Sequence, residues 1–209
     1  ELDSNNLLIK GTWTTLYRHP SDDSKVVKQI SAPGVSHCDF SHVGLPTPFR
    51  KCTRDSCTLP CLMAHRISTR FMMESLQRVK NMNSKFFPKI YEIDKRKRRY
   101  VSERVPHELT AYTCPVNYEE QMAEFNQELK SKGYYLDDVH SKNWMVDDEG
   151  QLKVIDCEVY TRKELNIQQW LLNLIDGSQD GVAKGHKSAS HIMHWKDGRP
   201  NIEDVCSSE

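Results

Sequence analysis

The chain changes character at Pro106, and that change limits the architectures open to it. Upstream, β-branched and aromatic residues gather in short alternating runs, the pattern of strands: residues 6–9, Gly11 to Tyr17, Lys25 to Ile30, Ile90 to Ile93 and Tyr100 to Val105. The polar stretch His19 to Ser24 reads as the turn of a hairpin. One helix interrupts the strands over 62–82, where Met72, Leu76 and Val79 recur at helical spacing, and Pro88 closes that region. Downstream, Asn117 followed by Glu120 fits a capping box, Tyr118, Met122, Phe125 and Leu129 share one helical face, and Gly133 suits the stop. Two strands, 143–146 and 152–155, embed a hairpin turned at Asp147 to Gly150. A last helix is expected at about 163–176, with Leu165, Trp170, Leu171, Leu174 and Ile175 as its apolar set. The order predicts an α+β chain of two lobes, a strand-rich N-lobe (about 1–105) and a reduced helical C-lobe (about 106–176), with a cleft at the hinge. A polar tail, 177–209, is expected to be partly disordered.

At 209 residues the chain suits one domain, and its 37% hydrophobic and 28% charged content is that of a globular protein. Lys and Arg number 29, as do Asp and Glu, so net charge gives no argument for nucleic acid as the partner. No apolar run approaches the roughly 20 residues of a membrane span. The first residue, Glu1, reads as the start of a processed or trimmed chain, so the absence of a signal-like segment decides nothing.

Residues 31–61 carry four prolines and little periodicity, and read as a long insertion. A loop of that length inside a domain calls for a staple or a function. Cys38, Cys52, Cys57 and Cys61 fall within 24 residues there, beside His37 and His42; zinc, two disulfides or reduced thiols all remain open, since the spacing matches no standard finger. The seven cysteines are an odd number, leaving one thiol unpaired if every bridge is intramolecular. Disulfides would imply an oxidising or secretory compartment. The lack of an Asn-x-Ser/Thr sequon argues against a eukaryotic secretory route.

Chemistry concentrates in Asp138-Val139-His140-Ser141-Lys142-Asn143, with Asp156 thirteen residues after Asn143. Phosphoryl transfer needs a carboxylate near the attacking hydroxyl and oxygen ligands for magnesium on the phosphates. Asp138 and Asn143 supply a base and a ligand from one short stretch, and Asp156, across the hairpin, can return to the same metal. An acidic surface hairpin is the plain alternative.

This set resembles the catalytic loop and metal-binding element of the protein-kinase-like superfamily, with Asp156-Cys157-Glu158 in place of Asp-Phe-Gly. His140 is similar to the loop of aminoglycoside-type phosphotransferases. Further parts follow in order: Gly11 to Tyr17 resembles the loop over the nucleotide phosphates, and Val26-Val27-Lys28 the strand whose Lys contacts them. Glu74 is the acidic residue on the first helix that the resemblance pairs with Lys28. Ser102 to Pro106 resembles the hinge, where backbone around Glu103 and Val105 would meet adenine. The resemblance implies a two-lobed kinase-like fold binding ATP with Mg2+ or Mn2+, and covers roughly 6–176.

Departures narrow the reading. Leu136-Asp137-Asp138 replaces His-Arg-Asp, and no Ala-Pro-Glu element follows Asp156, so much of the peptide-docking platform is missing, as in small bacterial effector kinases. A protein kinase acting on Ser or Thr is expected first. A small-molecule kinase, a pseudokinase that regulates a partner by contact, and AMP transfer are the alternatives. Lys95 to Arg99, five consecutive cations, is either a solvated turn or a docking point for an acidic partner or anionic lipid.

Overall fold

The computed structural model describes residues 4–11, 14–30, 59–136, 141–175 and 202–206. Five strands, β1 (Leu7–Lys10), β2 (Thr14–Arg18), β3 (Lys25–Ile30), β4 (Ile90–Asp94) and β5 (Arg99–Glu103), form an antiparallel sheet in the order β1-β2-β3-β5-β4. Where β1 ends, the Gly11 amide donates to the Thr14 carbonyl at 2.8 Å. A Cβ on Gly11 would stand 2.8 Å from that oxygen, so a side chain there forces the backbone to move. The β2–β3 turn closes on Asp22, whose carboxylate accepts from the Ser24 amide at 3.0 Å and pairs with Lys25 at 2.7 Å.

Helix α1 (Leu59–Met82) lies between β3 and β4 in the chain. It starts earlier than the sequence suggested, taking Leu59, Pro60 and Cys61 out of the expected loop. Proline is tolerated in a first turn, where its missing N–H has no intrahelical partner to lose. Asn83, with φ 48°, ends the helix in the left-handed conformation that Asn adopts more readily than most residues. Phe71, Met73, Ser75, Leu76 and Val79 are buried, while Met72 is half-buried. The remaining insertion, residues 31–58 with Cys38, Cys52 and Cys57, lies outside the described residues.

The second half holds more strand than the sequence pattern indicated. Strands β6 (His107–Glu108), β8 (Trp144–Val146) and β9 (Leu152–Val154) form one small sheet, and β7 (Tyr134–Leu136) pairs antiparallel with β10 (Val159–Thr161). Helix α2 (Tyr118–Ser131) buries Met122, Phe125 and Leu129, the expected face, and Gly133 at φ 67° follows it. The expected Asn117 capping box is absent: no side-chain cap bond forms, and the Asn117 Oδ1 accepts from Gln121 Nε2 at 2.9 Å instead.

Helix α3 (Arg162–Ile175) buries Leu165 but leaves Trp170 58% exposed, against expectation. Five residues at about 100° each put Trp170 roughly 140° around the helix from Leu165, on another face. The tail also departs from its polar reading. Ile202 is fully buried in the core, and Cys206, at the end of the short helix α4 (Glu203–Cys206), is disulfide-bonded to Cys114.

One apolar cluster runs through both halves, joining Ile30, Leu76, Val79 and Tyr100 to Phe125, Trp144, Val154 and Ile202. Within it the Phe125 ring meets Phe86, Phe87 and Trp144 at centroid distances of 5.2, 5.6 and 5.4 Å. The chain is thus an α+β fold with an antiparallel, sheet-rich N-terminal region. Among the described residues, no helix is long and apolar enough to cross a membrane.

Candidate active site

Lys28 occupies the middle of β3, flanked by buried Val26, Val27 and Ile30, and pairs in register with Tyr100 on β5. Its ammonium donates to the Ile155 carbonyl at 2.6 Å, a contact that spans 127 residues of sequence. The Ile155 amide in turn donates to the Asn143 carbonyl at 2.9 Å, where the chain leaves a 3-10 turn (Ser141–Asn143) for β8. The β8–β9 hairpin, with Trp144 opposite Val154, therefore brings Asn143 and Asp156 to one end, beside the Ile155 carbonyl that Lys28 holds.

The surroundings of Asp156 are charged but walled by buried groups. Cys157 is buried, and burial pushes its thiol up to about 12 despite the opposing charge of Lys28; Asp156 and Glu158 push the same way as burial. Tyr100 lies against Lys28, 6.0 Å from the ammonium to the ring centroid. Its hydroxyl is raised well above the ordinary value by burial first, then by Cys157, Asp156 and Glu158.

Glu74 does not reach Lys28. Its carboxylate pairs with Arg70 one helical turn earlier, at 2.8 Å, and Lys28 uses the Ile155 carbonyl. The Lys28–Glu74 pair expected from the resemblance is absent among the described residues. A local partner four residues away on the same helix face wins over one on a distant strand, because holding it costs less chain ordering.

At the expected hinge, the Glu103 amide donates to the Lys89 carbonyl at 2.9 Å and its carboxylate accepts from the Lys89 amide at 3.0 Å. That carboxylate also sits 3.5 Å from Lys153, which lies 3.6 Å from Asp147, so Lys153 ties the end of β5 to the β8–β9 turn. Val105 is buried, and among the described residues no backbone hydrogen bond engages its amide or carbonyl. The basic run falls on the β4–β5 turn, where Asp94 takes Lys97 at 4.0 Å and Arg99 at 3.9 Å.

Sequence reasoning missed Ser75. It is fully buried on α1, where its hydroxyl donates to the Cys157 carbonyl at 2.5 Å and accepts from the Val159 amide at 2.6 Å. A signal was present: Phe71, Ser75 and Val79 share one stripe, and a polar residue there must find partners. Arg78, one turn on, donates to the Val159 carbonyl at 2.5 Å and pairs with Glu164 at 2.8 Å.

Residues 12–13 and 137–140, which include Asp138 and His140, lie outside the described residues, as do Cys38, Cys52 and Cys57. Two described cavities lie elsewhere. One, of about 430 Å³, is lined by Asn117, Gln121, Glu124, Asp147 and Lys153; the other, about 170 Å³, by His19, Val27, Glu92 and Val101. Neither contains Lys28, Asn143 or Asp156.

No family model matches the chain, and no curated protein matches it. Among solved structures, the chain is similar to WbdD in its co-crystal structure with the kinase inhibitor LY294002, at 14% identity and a TM-score of 0.42. The likeness covers 80% of this chain, which spans 36% of the length of the other.

Proposed function

We propose that the chain is an ATP-dependent phosphotransferase, acting on Ser or Thr hydroxyls of a protein partner. The observation that carries this reading is the Lys28 ammonium on the Ile155 carbonyl, one residue before Asp156. In phosphoryl transfer a Lys on the third strand steadies phosphates, and an Asn and an Asp hold the metal. The bonds from Lys28 to Ile155 and from Ile155 to Asn143 support that reading, with Lys28 on the third strand, Asn143 ending the 3-10 turn and Asp156 two residues past β9.

The donor set fits a hard divalent cation. Asn143 and Asp156 offer an amide oxygen and a carboxylate, and Mg2+ is held by few protein oxygens because it keeps waters and phosphate ligands. When bound, Mg2+ or Mn2+ would neutralise charge developing on the phosphates. Lys28 holds a positive charge beside them, and the unengaged backbone of Val105 suits the adenine edge. Asp138, assigned from the sequence resemblance, accepts the proton of the attacking hydroxyl. The new oxygen–phosphorus bond forms as the bond to the ADP oxygen breaks, and ADP leaves. The disulfide between Cys114 and Cys206 supports work in an oxidising compartment.

Mass spectrometry of the protein and candidate targets after incubation with Mg-ATP tests the reading. A phosphate added to protein Ser or Thr supports it. Added AMP, phosphate only on small alcohols, or nucleotide binding without turnover would replace it with AMP transfer, a small-molecule kinase or a pseudokinase respectively.

A further inference from the structure

We propose that Ser75 is a positioning residue for the metal-binding carboxylate of Asp156, an assignment that rests on the phosphotransferase reading. Asp156 is bracketed. Before it, the Ile155 carbonyl is held by Lys28 at 2.6 Å; after it, the Cys157 carbonyl is held by the Ser75 hydroxyl at 2.5 Å. Both holders come from the N-terminal half, one from β3 and one from α1.

The second bracket closes a tight turn. The Val159 amide donates to the Cys157 carbonyl at 3.1 Å, making a three-residue turn centred on Glu158. That same amide also donates to Ser75 at 2.6 Å, so one hydroxyl serves both ends of the turn. A hydroxyl with no exposure is costly unless its bonds are made, and here both are made to the backbone of this turn. Turning the 157–159 peptides would break the clamp and swing the chain that carries Asp156. Ser75 thereby does for this ligand what outer hydrogen-bond partners do for metal ligands generally: it sets direction without touching the ion.

The test is Mn2+ binding by electron paramagnetic resonance in the presence of a non-hydrolysable ATP analogue, using the full chain. Loss of an outer partner typically weakens metal affinity about 10- to 100-fold, and Ser75→Ala is expected to fall in that range. Ser75→Thr, which keeps the hydroxyl, is expected to recover most of the loss. Leu129→Ala, remote on α2, supplies a variant destabilised by lost packing alone and is expected to bind Mn2+ as the parent does. Parent-like affinity in Ser75→Ala, with affinity lost in Asp156→Ala, overturns the clamp and spares the phosphotransferase reading. An equal loss in Leu129→Ala also overturns it. Parent-like affinity in Asp156→Ala overturns the underlying reading, and the clamp with it.

Discussion

Lys28, Glu74 and Asp156 are expected to separate cleanly under substitution. Removing a preorganised charge from a transferring phosphate costs at least about a hundredfold in turnover, which is the expectation for Lys28→Ala. Asp156→Ala is expected to abolish metal-dependent turnover while the fold survives. Glu74→Ala should change turnover less than about threefold, since its bond to exposed Arg70 is a solvent-screened surface helix pair that contributes little. Steady-state ATP hydrolysis or transfer assays on the three variants read this out; a Glu74→Ala loss as large as that of Lys28→Ala would contradict the observed pairing. Cys157 adds a chemical check. Buried and with its thiol pushed up to about 12, it should resist alkylation at neutral pH until the protein unfolds. Rapid labelling of Cys157 in folded protein would count against its placement.

At the scale of elements, α1 and α3 are joined by one polar network whose pH behaviour is fixed in sign. Thr161 and Glu164 form the capping box at the start of α3: the Glu164 carboxylate accepts from the Thr161 amide at 2.6 Å, and the Glu164 amide donates to the Thr161 hydroxyl at 3.3 Å. Burial pushes the Glu164 carboxyl up, but bonds from Arg78 and Thr161 outweigh it, and the group lies below its ordinary 4.5. A depressed folded value means stability that is complete above about pH 4.5 and drains away as the pH falls further. Melting temperature followed from pH 7 to pH 3 should therefore fall more steeply in the parent than in Glu164→Gln. At pH 7 that variant should be less stable by about 1.5–3 kcal/mol, the range for hydrogen bonds to a charged group. A steeper acid loss in Glu164→Gln would reverse the assignment.

Much of this level was legible in the residues. The α2 face of Met122, Phe125 and Leu129 followed from helical spacing, and β3 from Val26, Val27 and Ile30. The capping box was misplaced at Asn117, though Thr161-x-x-Glu164 has the stronger signature. Strands β7 and β10 escaped notice because three residues carry too little alternation to register alone; their pairing is set by tertiary contact. For the candidate site, the sequence order of Lys28, Asn143 and Asp156 suggested a meeting, while the actual partner of Lys28, a backbone carbonyl, has no sequence signature at all.

For the molecule as a whole, the shared apolar cluster holds the two halves together, and a disulfide among the described residues closes the second half on itself. Peptide mapping without reductant should recover a Cys114–Cys206 pair. Cys114→Ser should destabilise the protein by about 2–4 kcal/mol in chemical denaturation, most of it reproduced in the parent by reductant. Free Cys114 and Cys206 thiols in protein purified without reductant would exclude the link. Intact mass with and without reductant, together with metal analysis, would also count bridges or zinc among Cys38, Cys52, Cys57 and Cys61, whose crosslinking we propose as an anchor for the chain entering α1.

The span of that bridge, 92 residues, has a further consequence. It makes the polypeptide from Cys114 to Cys206 a closed ring that includes Asn143, Asp156 and all of α3. A protease that cuts once inside the ring opens a circle without shedding a piece, so the nicked protein keeps its mass plus one water and migrates as one species until it is reduced. Wounds to this half of the molecule would stay hidden on a non-reducing gel, and both cut ends would remain tethered close enough to hold the site's residues in reach of one another.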